Sequence, residues 1–253
     1  MIINSDFERL VDFSREKNIH FKSFGKNSNS DYSAKNISFH DFSSSFTIEN
    51  ILVELPLPGP GNMENALGAW TICKQFGISV NDFANAVKSF TGNVMRAEIM
   101  QIGNLTVLND CYNANPASMK NALDILGNID STKQRRLVFI CGDMAELGEQ
   151  SEALHIKLGE QIAQTNINLI LAIGKLSKIA ANAAQMNAQK KLQIKYFEDA
   201  ISACNKLHEI IKDYDIILVK GSRTAKLEAA VDKLMLLYEI PKQNQMKILS
   251  TKS

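Results

Sequence analysis

The 253-residue chain has no G-x-x-x-x-G-K-[ST] loop, the glycine-rich turn whose backbone N–H groups cradle nucleotide phosphates. Its two Gly-Lys pairs, Gly25-Lys26 before Asn27 and Gly174-Lys175 before Leu176, have no glycine five residues earlier. Nor is there a C-x-x-C pair. Cys73, Cys111, Cys141 and Cys204 are too scattered for a zinc knuckle or a disulfide framework, which leaves buried thiols in a reducing compartment. Neither sign of charge dominates: 28 Lys+Arg against 27 Asp+Glu leave a net charge of +1, arguing against a nucleic-acid surface or an anionic membrane partner. Phosphate binding then has to be local. No window approaches the ~18 uninterrupted apolar residues of a membrane span, and the opening "MIINSDFERL" has no basic region followed by an apolar core. The expected location is the cytoplasm. No internal repeat is evident, and the Ser/Asn-rich patch 27–45 is too short for a disordered domain.

What is present is 45% hydrophobic residues, enough for one or two domains with their own cores. After Leu105 apolar runs alternate with helical periods: "LTVL" (105–108), "RLVFICG" (136–142), "LILAIG" (169–174), "IKYF" (194–197) and "DIILVKGS" (215–222). That grammar predicts an α/β, Rossmann-like, doubly wound and mostly parallel sheet over residues 93–240, with ligands at the strands' carboxyl ends. Residues 1–92 form a separate domain. "MIIN" reads as a strand, "SDFERLVDFSREKN" as a helix capped by Ser5, 34–39 and 45–53 as antiparallel strands, and 62–76 and 80–90 as helices. "FTGNVMRAE" reads as the hinge, and residues 241–253 as a frayed tail.

Polar residues gather where the apolar runs stop. In "NDCYNANPASM", Asp110 ends a strand, and Asn115 before Pro116 reads as a helix cap with proline in the first turn. Between them the loop offers a carboxylate, a phenol and two amides; turn-making and ligand-facing roles both fit Asp110 and Asn113. "GDMAELGEQSEALH" places Asp143 and Glu146 after the next strand, with Ser151 as a cap and His155 either a packing residue or an acid–base group. "VKGSR" delivers Lys220, Gly221, Ser222 and Arg223 into an expected helix start, where the two cations and the free backbone N–H groups suit a carboxylate or phosphate; a solvated strand end is the other reading.

These three motifs, in this order, resemble the C-terminal domain of the Mur ligases. "GPGNMENALGAW" is similar to the family's segment near the end of its central ATPase domain, "MRAE" to its interdomain arginine, and "IINSD" to a strand entering the later part of that domain. The resemblance covers about residues 1–240, which makes 1–92 a partial central domain. It implies an ADP-forming ligase of peptidoglycan precursor synthesis that joins D-Ala-D-Ala to UDP-N-acetylmuramoyl-tripeptide. ATP would phosphorylate the tripeptide's terminal carboxylate, and the dipeptide amine would displace phosphate. It implies Asn62, Arg96 and Asp110 as nucleotide-binding residues and Tyr112, Asn113, Asn115, Lys220, Ser222 and Arg223 as substrate-binding residues. The Mg²⁺ ligands and the phosphate loop are expected on a separate N-terminal half, and the chain alone is expected to be inactive. Gly61 stands where the family usually has histidine beside Asn62. The chain is thus expected to be the C-terminal half of a ligase, either a piece of a split enzyme or the relic of a broken gene. The alternative is a non-catalytic domain binding a nucleotide or a partner.

Overall fold

Strands with one wet face build the first part of the molecule, and strands apolar on both faces build the second. The computed structural model describes residues 1–26, 29–129 and 134–239, and the chain divides into two compact units, Met1–Gly92 and Asn93–Ser253. The tail expected at 241–253 lies outside the described residues.

The first unit holds two small sheets. One is parallel, with β1 (Ile2–Asn4), β2 (Lys22–Gly25) and β3 (Tyr32–Ser33) in that order, and α1 (Glu8–Glu16) crosses from β1 to β2. The other is an antiparallel meander of β4 (Lys35–Phe39), β5 (Ser44–Ile48) and β6 (Ile51–Leu55). Helices α2 (Pro60–Gln75) and α3 (Val80–Lys88) complete a core in which Trp70 packs against Phe83, ring centroids 5.4 Å apart and planes tilted by 52°, beside Phe46, Val53, Met63 and Leu67. Two expectations need correction here. The strand expected at 45–53 is a hairpin, because Glu49 and Asn50 both adopt positive φ (49° and 66°), the geometry of the two-residue turn that matches strand twist. Ser5 does not cap α1; Phe7 occupies the cap position, and the Ser5 hydroxyl instead donates to the Phe24 carbonyl at 3.0 Å.

The second unit is a six-stranded sheet. Its strands are β7 (Glu98–Ile102), β8 (Leu105–Asn109), β9 (Leu137–Gly142), β10 (Leu169–Ile173), β11 (Gln193–Phe197) and β12 (Ile216–Lys220), in spatial order β11-β10-β9-β12-β8-β7. All pairs are parallel except β7 with β8. Every residue of β8, β9, β10 and β12 is buried, as both-face coverage requires. Leu108, Phe139, Ile170 and Leu218 face one core with α4 (Pro116–Ile129), α5 (Ser151–Ala163) and α6 (Lys175–Asn187). Val107, Val138, Leu171 and Val219 face the other, with α7 (Ala200–Cys204), α8 (Leu207–Ile210) and α9 (Glu228–Tyr238). The expected doubly wound sheet is therefore present. β7 was not expected; it pairs with β8 through a tight turn at Gly103, whose φ is 56°.

This winding fixes where a ligand crevice lies. β8 leads into α4 on one face, whereas its neighbour β12 leads into α9 on the other. The chain therefore parts in opposite directions beyond the carboxyl ends of two adjacent strands, which opens a crevice there.

Candidate functional site

Three segments meet at that crevice. The loop after β8 carries residues 110–115, the loop after β12 carries residues 221–223, and the segment before β7 carries Arg96. The unexpected strand matters here. Because β7 is antiparallel to β8, its beginning lies beside the end of β8, with Glu98 opposite Asn109, and Arg96 is thereby delivered to the ligand edge.

Arg96 stands between Met95 at φ 61° and Ala97 at φ 50°, left-handed conformations that cost a non-glycine residue about 1–2 kcal/mol each. Four hydrogen bonds hold the segment there. The Met95 N–H donates to Glu98 Oε2 at 2.9 Å, the Arg96 N–H to the Asn93 carbonyl at 3.2 Å, and the Ala97 N–H to Asp110 Oδ1 at 3.0 Å, while the Met95 carbonyl accepts from the Tyr112 N–H at 3.2 Å. Glu98 Oε2 also accepts from Asn109 Nδ2 at 3.0 Å. Glu98 and Asn109 are the residues that sequence reasoning missed, although the turn that aligns them, Gly103 before Asn104, was visible.

The strained segment lays the Arg96 guanidinium over the exposed Tyr112 ring at 4.2 Å, and the Arg223 guanidinium approaches the same ring at 5.9 Å. Arg223 is steadied by Glu228 at 3.8 Å. Two guanidiniums on one phenol, at a wet edge, make a site for an anion. The charges at the other end of the sheet are satisfied internally: Arg136 clasps Asp215 with Nε at 2.8 Å and Nη2 at 2.5 Å, which raises the arginine's pKa through that hydrogen bond.

Asp110 and Lys220 form a buried ion pair at 2.6 Å, with Lys220 1% and Asp110 14% exposed. Lys220 Nζ also donates to the carbonyl of Asn113 at 3.0 Å and approaches that of Asp110 at 3.4 Å. Lys220 is thus enclosed, and it clamps the 110–113 loop instead of facing solvent. Asn113 is exposed. Asn115 caps α4 as expected, its Oδ1 accepting from the Ser118 N–H at 2.8 Å while Ser118 Oγ accepts from the Asn115 N–H at 3.0 Å. Ser222 is buried, its N–H donating to the Asp143 carbonyl at 2.8 Å. The helix start expected at 220–223 is corrected: a 3₁₀ turn at Arg223–Ala225 and a left-handed Lys226 come first, and α9 begins at Glu228. Asn62 lies in the first unit on α2, its side-chain amide donating to the Pro58 carbonyl at 2.7 Å.

The neighbouring strand ends are structural. Asp143 Oδ1 accepts from the Ser177 N–H at 2.6 Å and so caps α6 from another segment, at a place where Gly174 has no side chain to do it. Ser151 is not a cap but the first residue of α5, its hydroxyl bonded to the Gly148 carbonyl. His155 is buried; its Nε2 accepts from the Met144 N–H at 3.0 Å, which leaves its proton on Nδ1 facing the Ser151 carbonyl. It is a packing residue. Cys111, beside Asp110, is no nucleophile: burial, reinforced by the charge of Glu228, pushes its thiol up to about 11. Among the described residues no three His, Cys, Asp or Glu side chains come together to hold a metal ion, and no step through Mg²⁺ is assigned to this chain.

Known proteins resemble the chain in both units. A Mur ligase middle-domain model matches residues 1–73, and a model described as Mur ligase, glutamate ligase domain, matches residues 95–223. The UDP-N-acetylmuramoyl-tripeptide–D-alanyl-D-alanine ligase of Bacillus subtilis is 30% identical over 85% of this chain and 47% of its own length. That of Buchnera aphidicola subsp. Baizongia pistaciae is 36% identical over 91% of this chain and 47% of its own. A crystal structure of MurF from Acinetobacter baumannii superposes with a TM-score of 0.79 at 26% identity, covering 92% of this chain and 51% of that one. The chain therefore spans about half the length of the relatives it matches. With two domain models matched in succession, and Arg96, Tyr112 and Arg223 inside the second, the chain belongs to the Mur ligase family.

Proposed function

We propose that this chain contributes the nucleotide- and substrate-handling part of a ligase that joins D-alanyl-D-alanine to UDP-N-acetylmuramoyl-tripeptide in the cytoplasm, at the expense of ATP. In such a reaction phosphate is transferred to the terminal carboxylate and then displaced by the dipeptide's amine. The observation that carries the reading is the pair of guanidiniums on Tyr112 at the crevice, one of them fixed by a strained segment. Preorganised cations of this kind stabilise charge as it develops on a transferring group. Asn62 is assigned to the adenine, and Arg96 to the phosphates. Asp110 is assigned to the ribose side, besides holding Ala97 in place. Tyr112, Asn113, Asn115, Ser222 and Arg223 serve the acceptor substrates, and Lys220 acts through the loop it clamps. No helix among the described residues is long and apolar enough to cross a membrane.

The missing phosphate loop favours one further statement: the chain alone turns nothing over and works with a loop-bearing half. The test mixes the purified chain with that half of a relative and measures phosphate release and amide formation. Turnover requiring both proteins and the dipeptide is expected, with Arg96→Ala about 100-fold slower. An Arg96→Ala mixture as fast as the parent, or turnover by the chain alone, overturns the proposal.

A further inference from the structure

The sheet of the second unit ends at β11, and that end is bare. The Gln193 N–H donates to the Asn168 carbonyl and the Phe197 carbonyl accepts from the Gly174 N–H, so residues 193, 195 and 197 turn their backbone groups toward β10. By the alternation of a strand, Ile194 and Tyr196 turn theirs the other way, to an edge with no partner strand among the described residues. Every residue of β10 is buried, and none of β11 is. Four exposed lysines surround this edge: Lys195 in β11, Lys190 and Lys191 in the segment before it, and Lys178 on α6. Lys178 holds its ammonium 5.3 Å from the Tyr196 ring, whose hydroxyl bonds Asn182 Oδ1 at 2.6 Å, and Lys190 donates to the neutral side chain of Asn166 at 2.6 Å. The carboxylates in reach are engaged elsewhere. Glu209 is held by Lys206 at 2.8 Å, the hydrogen bond that chiefly lowers its pKa, with Lys195 the smallest contributor, and Asp199 accepts from the Ser202 N–H at 2.7 Å. Uncompensated positive charge therefore accompanies an unpaired strand.

We infer that the β11 edge takes an acidic, extended segment of another protein as a further strand. One lysine on an edge strand is the ordinary device that blocks pairing. Four ammoniums without counter-charge around two free strand positions exceed that need, and an acidic partner relieves their mutual repulsion. Strand addition supplies donors and acceptors to Ile194 and Tyr196. Ile194 packs on the core beneath α6 and Phe197 on the opposite one, so carboxylates of the added strand meet Lys178 on one face of the sheet and Lys195 on the other. Tyr196, 43% exposed and fixed by Asn182, gives the strand a rigid surface to pack on. Other occupants fit less well. Two β11 edges meeting about a twofold axis, Ile194 against Tyr196, put Lys195 opposite Lys195. Residues 240–253 of the chain itself carry Lys242, Lys247 and Lys252 and no acidic residue. A nucleic acid would meet the lysines and leave the strand groups unpaired. β10 and β9 separate this edge from the crevice at β12 and β8, and nothing in it draws on the ligase reading.

The probe is a synthetic peptide of alternating glutamate and valine, labelled for fluorescence anisotropy and titrated into the whole chain, with amide exchange followed by NMR. Saturable binding is expected, with exchange of the Ile194 and Tyr196 amides slowed at least tenfold. Lys191→Glu with Lys195→Glu, both on exposed side chains, should weaken binding at least tenfold with an unchanged melting curve. Lys35→Glu with Lys157→Glu, exposed positions elsewhere that change the net charge equally, should not. The same peptide with every backbone nitrogen methylated keeps its charge but cannot pair as a strand, and should bind at least tenfold more weakly. Absence of binding, equal binding of the methylated peptide, protection that misses Ile194 and Tyr196, or indifference to the Lys191 and Lys195 changes overturns the inference. So does a thymidine oligonucleotide that binds more tightly than the peptide and competes with it, which would make the edge a polyanion site.

Discussion

The two units solve the same problem with unequal means. In the second, four interior strands are buried on both faces between two layers of helices, and the edges are the more exposed β7 and β11. In the first, nine helical residues of α1 bury a serine, and an edge strand lies open between apolar side chains. Burial of apolar area is what offsets chain entropy. The second unit has the architecture of a self-sufficient domain and the first that of a part. Domain size alone would not have shown the difference; the distribution of exposed apolar side chains does.

The largest effect expected from this contrast is on folding itself. Residues 93–239 produced alone should melt in one cooperative transition, whereas residues 1–92 alone should melt broadly and bind a hydrophobic dye, by calorimetry and fluorescence. A sharp transition in the first unit would break the comparison.

Next in size is the buried pair of the second unit. Asp110→Ala strands the Lys220 ammonium, and Lys220→Ala strands the carboxylate; each should cost about 3–5 kcal/mol in urea unfolding. Read from the sequence, Asp110 stood as a turn-maker or, by the resemblance, a nucleotide ligand. Its contact with a lysine 110 positions away gives it a part in stability that neither reading carried. Melting unaffected by either change would show that the ion pair is not what secures the loop.

Legibility followed the range of the interaction. The five parallel strands and the Asn115 cap were readable because apolar runs and local spacing encode them. β7 was encoded as well, in the turn at Gly103 and Asn104, but only Ile102 of its five residues is fully buried and its apolar pattern is weak. The hairpin at Glu49 and Asn50 was overlooked because two short strands of like pattern read as one. Ser5 and Ser151 were credited as caps because their type suits the role, yet each found a different partner carbonyl. The burial of Lys220 could not be read locally, since lysine is enclosed only when a distant carboxylate and carbonyls are already in place.

A smaller effect sharpens the local side of the comparison. Asn115→Ala should cost the second unit about 0.5–2 kcal/mol, the usual loss for a helix cap, measured by the same urea titration. A loss as large as that of Asp110→Ala would mean the loop depends on the cap and not on the ion pair.

The smallest concerns acid sensitivity in the first unit. The Asp31 carboxylate accepts from the N–H and hydroxyl of Ser23 at 2.9 and 2.8 Å, hydrogen bonds that lower its pKa. A lowered value contributes stability above the unfolded carboxylate's pKa of about 3.9, and that stability disappears as pH falls through the folded value. Asp31→Asn should therefore flatten the pH dependence of melting below about pH 4 and leave the second unit's profile untouched.

The cap that Asp143 lends to α6 also bears on the order of folding. Gly174 leaves the helix without a local stop for its first-turn N–H groups, and the acceptor lies on the loop after β9, 34 residues earlier in the chain. Ser177 can be satisfied only when β9 and β10 already stand side by side, with Ile173 opposite Gly142. Protection of the Ser177 amide from exchange would thus be a clock for sheet assembly, expected to rise when the strands align and not when the helix coils. A variant with serine at 174 would strain a backbone now at φ 105° and collide with that same carboxylate, so an autonomous cap cannot be added there. α6 is bound to wait for its neighbours.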